Sequence, residues 1–412
     1  MQDKIKEIFK WLHPGIGIKR WIGLSALAVI LVVIGSSSLQ AEEFFVTKVL
    51  DLIVVISGII ILILSIKSMM RSFITAFIPS SKGAELVDIL YQKKQLGRGP
   101  KIVTIGGGTG LSVLLTGLKE YSSNITAIVT VADDGGSSGR LRQEFDILPP
   151  GDIRNCLVAL ADASTLMRDL FQFRFDKNSE FSGHNFGNLF ITVMTRLTGD
   201  FEKAIKETSK VLALRGQVIP STLDNVVLVA KHKDGSVTEG ENNIPKARLP
   251  IDKVSLKPAQ SSGTPEALKA IEEAQVIILG PGSLYTSIIP NLLIKEITDR
   301  IVASNAIKVY VCNVMTQPGE TDGFSALDHV KALLSHASPR VIDYCIVNNG
   351  EIPAETLARY AEQNSYPVSS DRKNIENMGY RVIEEDAVVV DGVIRHDPNK
   401  LAKIILGLVE EI

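Results

Sequence analysis

The chain has 412 residues, a formal net charge of −2 and three cysteines. That length allows a large core with appendages, and the near-zero charge gives no electrostatic case for a nucleic-acid partner. Cys156, Cys312 and Cys345 stand far apart in apolar surroundings, so they read as reduced core residues of a cytosolic compartment, not as metal ligands or a disulfide framework.

The first 20 residues are basic, with Lys4, Lys6, Lys10, Lys19 and Arg20 interleaved with Trp11 and neighbouring Trp21. An uncharged apolar run covers 21–39, a polar connection Gln40-Ala41-Glu42-Glu43 follows, and a second apolar run covers 49–66. Each run is about as long as the roughly 20 residues a spanning helix needs. Positive charge lies on the outer flanks (Lys67, Arg71 and Lys82 follow the second run) and acids lie in the connection. This pattern predicts a two-pass membrane hairpin over residues 1–78 with both ends in the cytoplasm. Two readings compete: a signal peptide cleaved after Leu39-Gln40-Ala41, against which stand a long basic region and a second run close behind, and a buried helical hairpin of a soluble core, against which stands the lack of polar faces on both runs. Residues 79–100 read as a tether with one short helical run at 84–95, and the binding body as residues 101–412.

The body opens on a buried strand at 101–105 that enters Gly106-Gly107-Gly108-Thr109-Gly110-Leu111-Ser112, with an amphipathic run at 111–118 behind it. Glycines let backbone N–H groups approach a ligand, and the helix N-terminus carries partial positive charge; both favour phosphate. A second strand at 125–131 ends in Asp133 and Asp134, where a doubly wound fold holds a ribose hydroxyl. The dinucleotide fingerprint places a small residue where Leu111 stands, so the match to it is imperfect. Strand, turn, helix, strand and acid together point to a phosphate-bearing ligand.

Residues 133–142 combine acids, hydroxyls, three glycines and two arginines, a poor helix or strand by composition. Two readings compete: a solvated loop, or a grip in which Ser137, Ser138 and Arg140 hold phosphate and Asp133 or Asp134 holds a sugar or metal. Asp152, after Pro149-Pro150-Gly151, looks like an N-cap, with Arg154 and Asn155 in the first helical turn. Gly183-His184-Asn185-Phe186-Gly187-Asn188 precedes a helix expected to run to about 214. Asn185 and Asn188 are the stronger ligand candidates there, because amides pair donors with acceptors. A hairpin at 226–239 reads as an antiparallel insert. A helix at 266–274 then leads to further strands at 276–279 and 309–312. These enter polar loops carrying Gly282, Ser283, Tyr285 and Thr286, then Asn313, Met315, Thr316, Gln317, Glu320 and Thr321. In such sheets ligands sit beyond the carboxyl ends of the strands. The loops at 106–112, 132–142, 280–287 and 313–323 are therefore expected to converge on one crevice.

Six motifs, from Gly-Gly-Gly-Thr-Gly-Leu-Ser at 106–112 to Asn-Val-Met-Thr-Gln-Pro-Gly-Glu-Thr-Asp at 313–322, resemble the bacterial YvcK family of gluconeogenesis factors within the CofD-like superfamily. The others are those at 132–142, 149–155, 183–188 and 280–287, and the resemblance spans residues 100–397. It implies a CofD-like α/β fold: a Rossmann-type, mostly parallel sheet with helices on both faces and an antiparallel insert. It also implies binding of a UDP-sugar such as UDP-N-acetylglucosamine, and a role in cell shape and envelope precursor supply during gluconeogenic growth. On that reading the diphosphate lies at 106–112 and Arg140, and Tyr285 and the 313–321 loop meet the uridine or sugar. The family is usually cytoplasmic, so the membrane hairpin is a departure. The superfamily's namesake, a transferase that moves phospholactate onto a deazaflavin precursor with a divalent metal, supplies the rival reading. A nicotinamide-dependent oxidoreductase is a third, weakened by Leu111. No nucleophile or general base stands out, and no resident cofactor is expected beyond a divalent metal in the transferase reading. A homo-oligomer and a downstream protein partner stay open.

Overall fold

A computed structural model describes residues 18–41, 44–77, 94–176 and 181–410, and the chain divides into two compact units, Met1–Lys94 and Gln95–Ile412. The basic stretch before residue 18, Glu42 and Glu43 of the connection and most of the expected tether lie outside the described residues.

The first unit is a helical hairpin of α1 (Ile18–Ala41) and α2 (Phe45–Phe77). Within it Arg20–Leu39, with mean hydropathy 2.3, and Phe45–Met70, with mean hydropathy 3.0, are long and apolar enough to cross a membrane. Small residues bring the two helices together. A Cβ on Gly35 would lie 2.8 Å from Val55, and one on Gly58 would lie 2.8 Å from Val32. Ser25 and Ser65 share a hydrogen bond of 2.8 Å, and Ser65 Oγ also donates to the Trp21 carbonyl at 2.6 Å. This is how helices associate where apolar burial offers no drive between them. Val29, Ile30, Val33, Ile56, Ile63 and Leu64 face outward on both helices.

The second unit is built on seven parallel strands. They are β1 (Ile102–Gly106), β2 (Ile125–Val129), β3 (Gln217–Pro220), β7 (Val276–Leu279), β8 (Ile307–Val311), β9 (Tyr344–Asn348) and β10 (Arg381–Glu385). Their order is β10-β9-β8-β7-β1-β2-β3. β1, β2, β7 and β8 are buried along their whole length. That is why they read as continuous apolar runs without alternation. Chain order climbs outward from β1 in one direction and from β7 in the other. The β1–β7 boundary is thus the switch point, where a doubly wound sheet opens a crevice at the strands' carboxyl ends.

Helices cover the sheet: α3 (Gly108–Leu118), α4 (Gly136–Phe145), α5 (Gly151–Leu160), α6 (Thr165–Gln172), α7 (Phe186–Thr198), α8 (Phe201–Val211), α9 (Pro265–Glu273), α10 (Lys295–Ala303), α11 (Ala326–His336), α12 (Ala354–Ala361) and α13 (Pro398–Glu410). The antiparallel insert has three strands, β4 (Val227–His232), β5 (Val237–Glu239) and β6 (Ile251–Lys257), in the order β5-β4-β6. The expected hairpin is its first two strands; β6, with its alternation of buried Val254 and Leu256 against exposed neighbours, completes it. A second ribbon pairs β11 (Val388–Asp391) with β12 (Val393–His396).

Three local expectations are corrected. Residues 136–145 form a helix despite their composition, because Leu141 packs into the core and Ser137, Ser138 and Arg142 are buried with it. Tertiary burial there outweighs weak intrinsic propensity. Asp152 is not the N-cap of α5: Pro150 holds that position and Asp152 lies inside the first turn. The helix expected to reach 214 is two helices. Gly199, at φ +71°, ends α7 in a left-handed cap, and the Asp200 side chain caps α8 by accepting from Lys203 N.

Candidate functional site

A crevice of about 540 Å³ opens at the carboxyl ends of β1, β7 and β8. Each of the four loops expected there supplies lining residues. Gly107, Gly108, Thr109 and Gly110 come from the first, Asp133 from the second, Gly282, Ser283 and Ser287 from the third, and Asn313, Met315 and Gln317 from the fourth.

The glycine turn has little room to accept side chains. Gly108 sits at φ +65°, in the left-handed region. A Cβ on Gly107 would lie 2.5 Å from Asp152 Oδ2 and 2.7 Å from Thr130 Cγ2, and one on Gly110 would lie 2.6 Å from the Pro281 carbonyl oxygen. The turn is thus wedged between the start of α5 on one side and the β7 loop on the other. Leu111 is fully buried and serves the core.

One wall of the crevice is acidic. Asp152 is buried beneath the turn and accepts a hydrogen bond from the Gly108 N–H; burial, then the charge of Asp133, pushes its pKa up to about 7. Burial also raises Asp133, whose Oδ1 accepts from Gly135 N at 2.9 Å and whose carboxylate is bonded by Ser138. Glu241 goes up to about 8 through burial and then the charges of Asp133 and Asp152. Asp134 does not line the crevice. Its Oδ1 accepts from Asn242 N at 2.8 Å, which holds the segment carrying Glu241 in place.

The opposite wall is uncharged. Gln317 Nε2 donates to Ser283 Oγ at 2.6 Å, and Asn313 Nδ2 donates to Gln317 Oε1 at 3.0 Å. Thr321 Oγ1 receives Gln317 N at 2.9 Å and fixes the loop. Thr316 accepts from Tyr366 N at 2.9 Å, and buried Glu320 accepts from Thr286 Oγ1 at 3.3 Å. Thr286, Thr316, Glu320 and Thr321 do not line the crevice and shape the wall from behind. Burial lifts Glu320 to about 7.

Several sequence candidates stand elsewhere. Ser137 Oγ accepts from Asn185 N at 3.3 Å and from Asn188 Nδ2 at 3.2 Å and faces His184 Nδ1 at 3.2 Å, while Asn185 Oδ1 caps α7 by accepting from Asn188 N. This buried knot ties α4 to α7 outside the crevice. Arg140 is exposed and donates to the Ser182 carbonyl at 2.9 Å, so it does not reach the glycine turn. Tyr285 is a core residue, 3% exposed, packed edge-on against Phe324 and His336 with ring centroids 6.3 and 5.8 Å away; no face is free to stack on a base. Ser112 and Asn155 line a neighbouring cavity.

The residues that sequence reasoning missed are Glu241, Tyr360, Val393, Ile394, Arg395 and His396, all of which line the crevice. Tyr360 stands on α12 and its hydroxyl accepts from Ile394 N at 2.9 Å, which ties α12 to β12. Arg395 is exposed on β12 and, among the described residues, is the one arginine or lysine lining this crevice. No glycine turn or motif marks these positions. The one local signal is the alternation along β12, which puts Arg395 on the outward face. Burial holds His396 neutral, with its pKa pushed down to about 4. Among the described residues no group of three or more acids, histidines or cysteines is placed to ligate a metal by itself.

Comparison with known proteins adds to this geometry. The family model described as 2-phospho-L-lactate transferase CofD matches residues 102–388. The chain belongs to the CofD family. Among its relatives, this CofD-family chain is 48% identical to a Nostoc sp. protein named as a gluconeogenesis factor, over 98% of this chain and 93% of the relative. It is 51% identical to the Bacillus subtilis gluconeogenesis factor, over 77% of this chain and all of the relative. A crystal structure of a UPF0052-family protein from Bacillus halodurans superposes with a TM-score of 0.73 at 47% identity, covering 75% of this chain and 99% of that one. The CofD-like sheet and its place among the gluconeogenesis-factor homologues of the YvcK family thus rest on both sequence and fold. The Nostoc match takes in the N-terminal hairpin, so that segment is not peculiar to this chain.

Proposed function

We propose that this CofD-family protein is a nucleotide-sugar-binding regulatory factor, with UDP-N-acetylglucosamine or a close UDP-sugar as its ligand. Its role is in cell shape and envelope precursor supply during growth on gluconeogenic carbon. The observation that carries the reading is the glycine turn at the β1–β7 switch point, facing a wall of amides and hydroxyls across one crevice. Backbone N–H groups and the start of α3 suit a diphosphate. Asn313, Gln317 and Ser283 supply the paired donors and acceptors that read a sugar or uracil, and Tyr360 and Arg395 complete the lining. In the full chain the hairpin anchors this body to the cytoplasmic face of a membrane through residues 21–66.

A specific observation favours a second reading, a CofD-like transferase using a divalent metal. Asp133 and Asp152 lie close enough on one wall of the crevice to interact, and a magnesium ion is commonly held by one or two carboxylates together with substrate phosphates and water. The donor chemistry present fits such an ion, which would shield a diphosphate from the acids. Identification by mass of the nucleotide that copurifies with the full chain separates the readings. A UDP-sugar recovered unchanged after incubation with magnesium supports the regulatory factor. Release of UMP or UDP at a useful rate moves the assignment to the transferase, and recovery of NAD overturns both. A reporter fused at Glu42 should behave as external and one at Ile412 as internal; an external C-terminus contradicts the anchoring.

A further inference from the structure

Beside the crevice lies a second cavity of about 470 Å³, walled by α3, α5, α6 and β12. Thr109, Val113 and Arg395 line both spaces, but the second has the opposite electrostatic character. Where the crevice gathers Asp133, Asp152 and Glu241, this cavity gathers Lys119, Arg168 and Arg395 against one acid, Asp169. Among the described residues none of the three cations has an ion-pair partner. The acids near Lys119 are engaged elsewhere: Arg215 takes Asp162 at 2.8 Å and Glu120 at 3.4 Å.

Two of these cations are held in place without being neutralised. Lys119 is buried, its Nζ donates to the Ala161 carbonyl at 2.9 Å, and burial followed by the charge of Arg168 pushes its pKa down. Among the described residues the buried Arg168 Nε–H has no acceptor, and a terminal nitrogen of the same side chain donates to Thr165 Oγ1 at 3.4 Å. A buried guanidinium donor without an acceptor is a cost that an anion in the cavity would offset. Two of the four lining hydroxyls are already engaged as donors. Ser112 Oγ and Thr116 Oγ1 donate to carbonyls of their own helix at 2.7 and 3.0 Å, so charge recognition rests on the cations.

We propose that this cavity is a second ligand site, distinct from the nucleotide-sugar crevice, that takes a small phosphomonoester such as a phosphorylated sugar. A phosphomonoester carries close to two negative charges near neutral pH. That matches a set of two arginines and a lysine better than a carboxylate does, and arginine's fork suits phosphate oxygens. At about 470 Å³ the cavity has room for a hexose phosphate. Arg395, which fronts both spaces, links the two occupants.

The test is calorimetry on the full chain in detergent, with inorganic phosphate and glucose 6-phosphate as probes, glucose as the uncharged control and UDP-N-acetylglucosamine titrated separately. Arg168→Gln is the variant, since Arg168 lies on the partly exposed α6 and outside the crevice. The expected result is saturable binding of glucose 6-phosphate to the wild type and none of glucose. Arg168→Gln should weaken the sugar phosphate at least tenfold and leave UDP-N-acetylglucosamine within twofold. Binding of phosphate but not of glucose 6-phosphate still supports the site and narrows its ligand to the free anion. Absence of binding by both probes at millimolar concentration overturns the proposal, as does equal affinity in Arg168→Gln. If Arg168→Gln instead weakens UDP-N-acetylglucosamine as much as the probe, the cavity is a subsite of the nucleotide-sugar, and the claim of a second ligand fails. The phosphate probes do not depend on the nucleotide-sugar reading, so either can fail alone.

Discussion

The two walls of the crevice are built by different means. The β7–β8 wall is a closed hydrogen-bonded chain, Ser283 to Gln317 to Asn313, neutral at any ordinary pH. The wall on the β1–β2 side is a set of buried acids whose charge depends on their company, with Asp152 near 7 and Glu241 near 8. The first wall is fixed by geometry and the second by protonation or a counter-ion. A diphosphate seated on the glycine turn is therefore positioned by one wall and opposed or tolerated by the other, depending on pH and on divalent cations.

The largest effect should come from breaking the turn that both walls share. In Gly108→Val the Cβ itself has space, with Ser287 Oγ the nearest contact at 3.7 Å, but the φ of +65° is strained for a branched residue. The strain costs about 1–2 kcal/mol, and the side chain stands where a phosphate would approach. UDP-N-acetylglucosamine affinity should fall more than a hundredfold in calorimetry, with a drop of only a few degrees in melting temperature. Retained affinity would make the turn purely structural.

Next comes the cation in the lining. Arg395 has no ion-pair partner among the described residues, and a charge-assisted hydrogen bond to phosphate contributes about 1.5–3 kcal/mol. Arg395→Ala should therefore weaken the nucleotide-sugar on the order of tenfold to a hundredfold, whereas Arg140→Ala should change it less than threefold because that side chain is turned to the Ser182 carbonyl. The reverse ranking would mean that α4, not β12, faces the ligand.

Protonation gives a smaller and reversible effect. As pH rises from 6 to 9 in chelator, Asp152 and Glu241 ionise and affinity for the diphosphate should fall about tenfold, a loss that magnesium restores. Asp152→Asn keeps an acceptor for the Gly108 N–H and should flatten the profile. The same substitution reports on stability. The folded-state pKa of Asp152 lies above its ordinary 3.8, so between about pH 4 and pH 7 the native chain holds a proton that the unfolded chain has lost. Stability therefore falls as pH rises through that window. At about 1.36 kcal/mol per unit the contribution is on the order of 4 kcal/mol at its upper bound, and Asp152→Asn should melt higher than wild type at pH 8. An unchanged melting temperature would place the carboxyl in a wetter setting.

Much of this was legible in the sequence because it is local. Continuous apolar runs such as 276–279 announce buried parallel strands, and the glycines at 106–110 announce the turn at the end of one. What could not be read is what distant chain brings in. Tyr360 and Arg395 reach the crevice from α12 and β12, some 250 residues or more beyond the turn, through a ribbon whose pairing no local pattern fixes. Orientation also escaped. Tyr285 and Arg140 sit in loops and helices next to genuine lining residues, yet a rotation about the helix axis sends one into the core and the other to the surface. Ser137, Asn185 and Asn188 carry the polar chemistry expected of a ligand site and spend it on holding α4 against α7.

The most direct test of the central claim, that the switch-point crevice holds a UDP-sugar, is isothermal calorimetry on the full chain at pH 7 with magnesium, comparing UDP-N-acetylglucosamine with NAD. The account predicts one nucleotide-sugar bound per chain, with NAD at least tenfold weaker. Tighter binding of NAD, or UDP-N-acetylglucosamine binding that survives Gly108→Val unchanged, would contradict it.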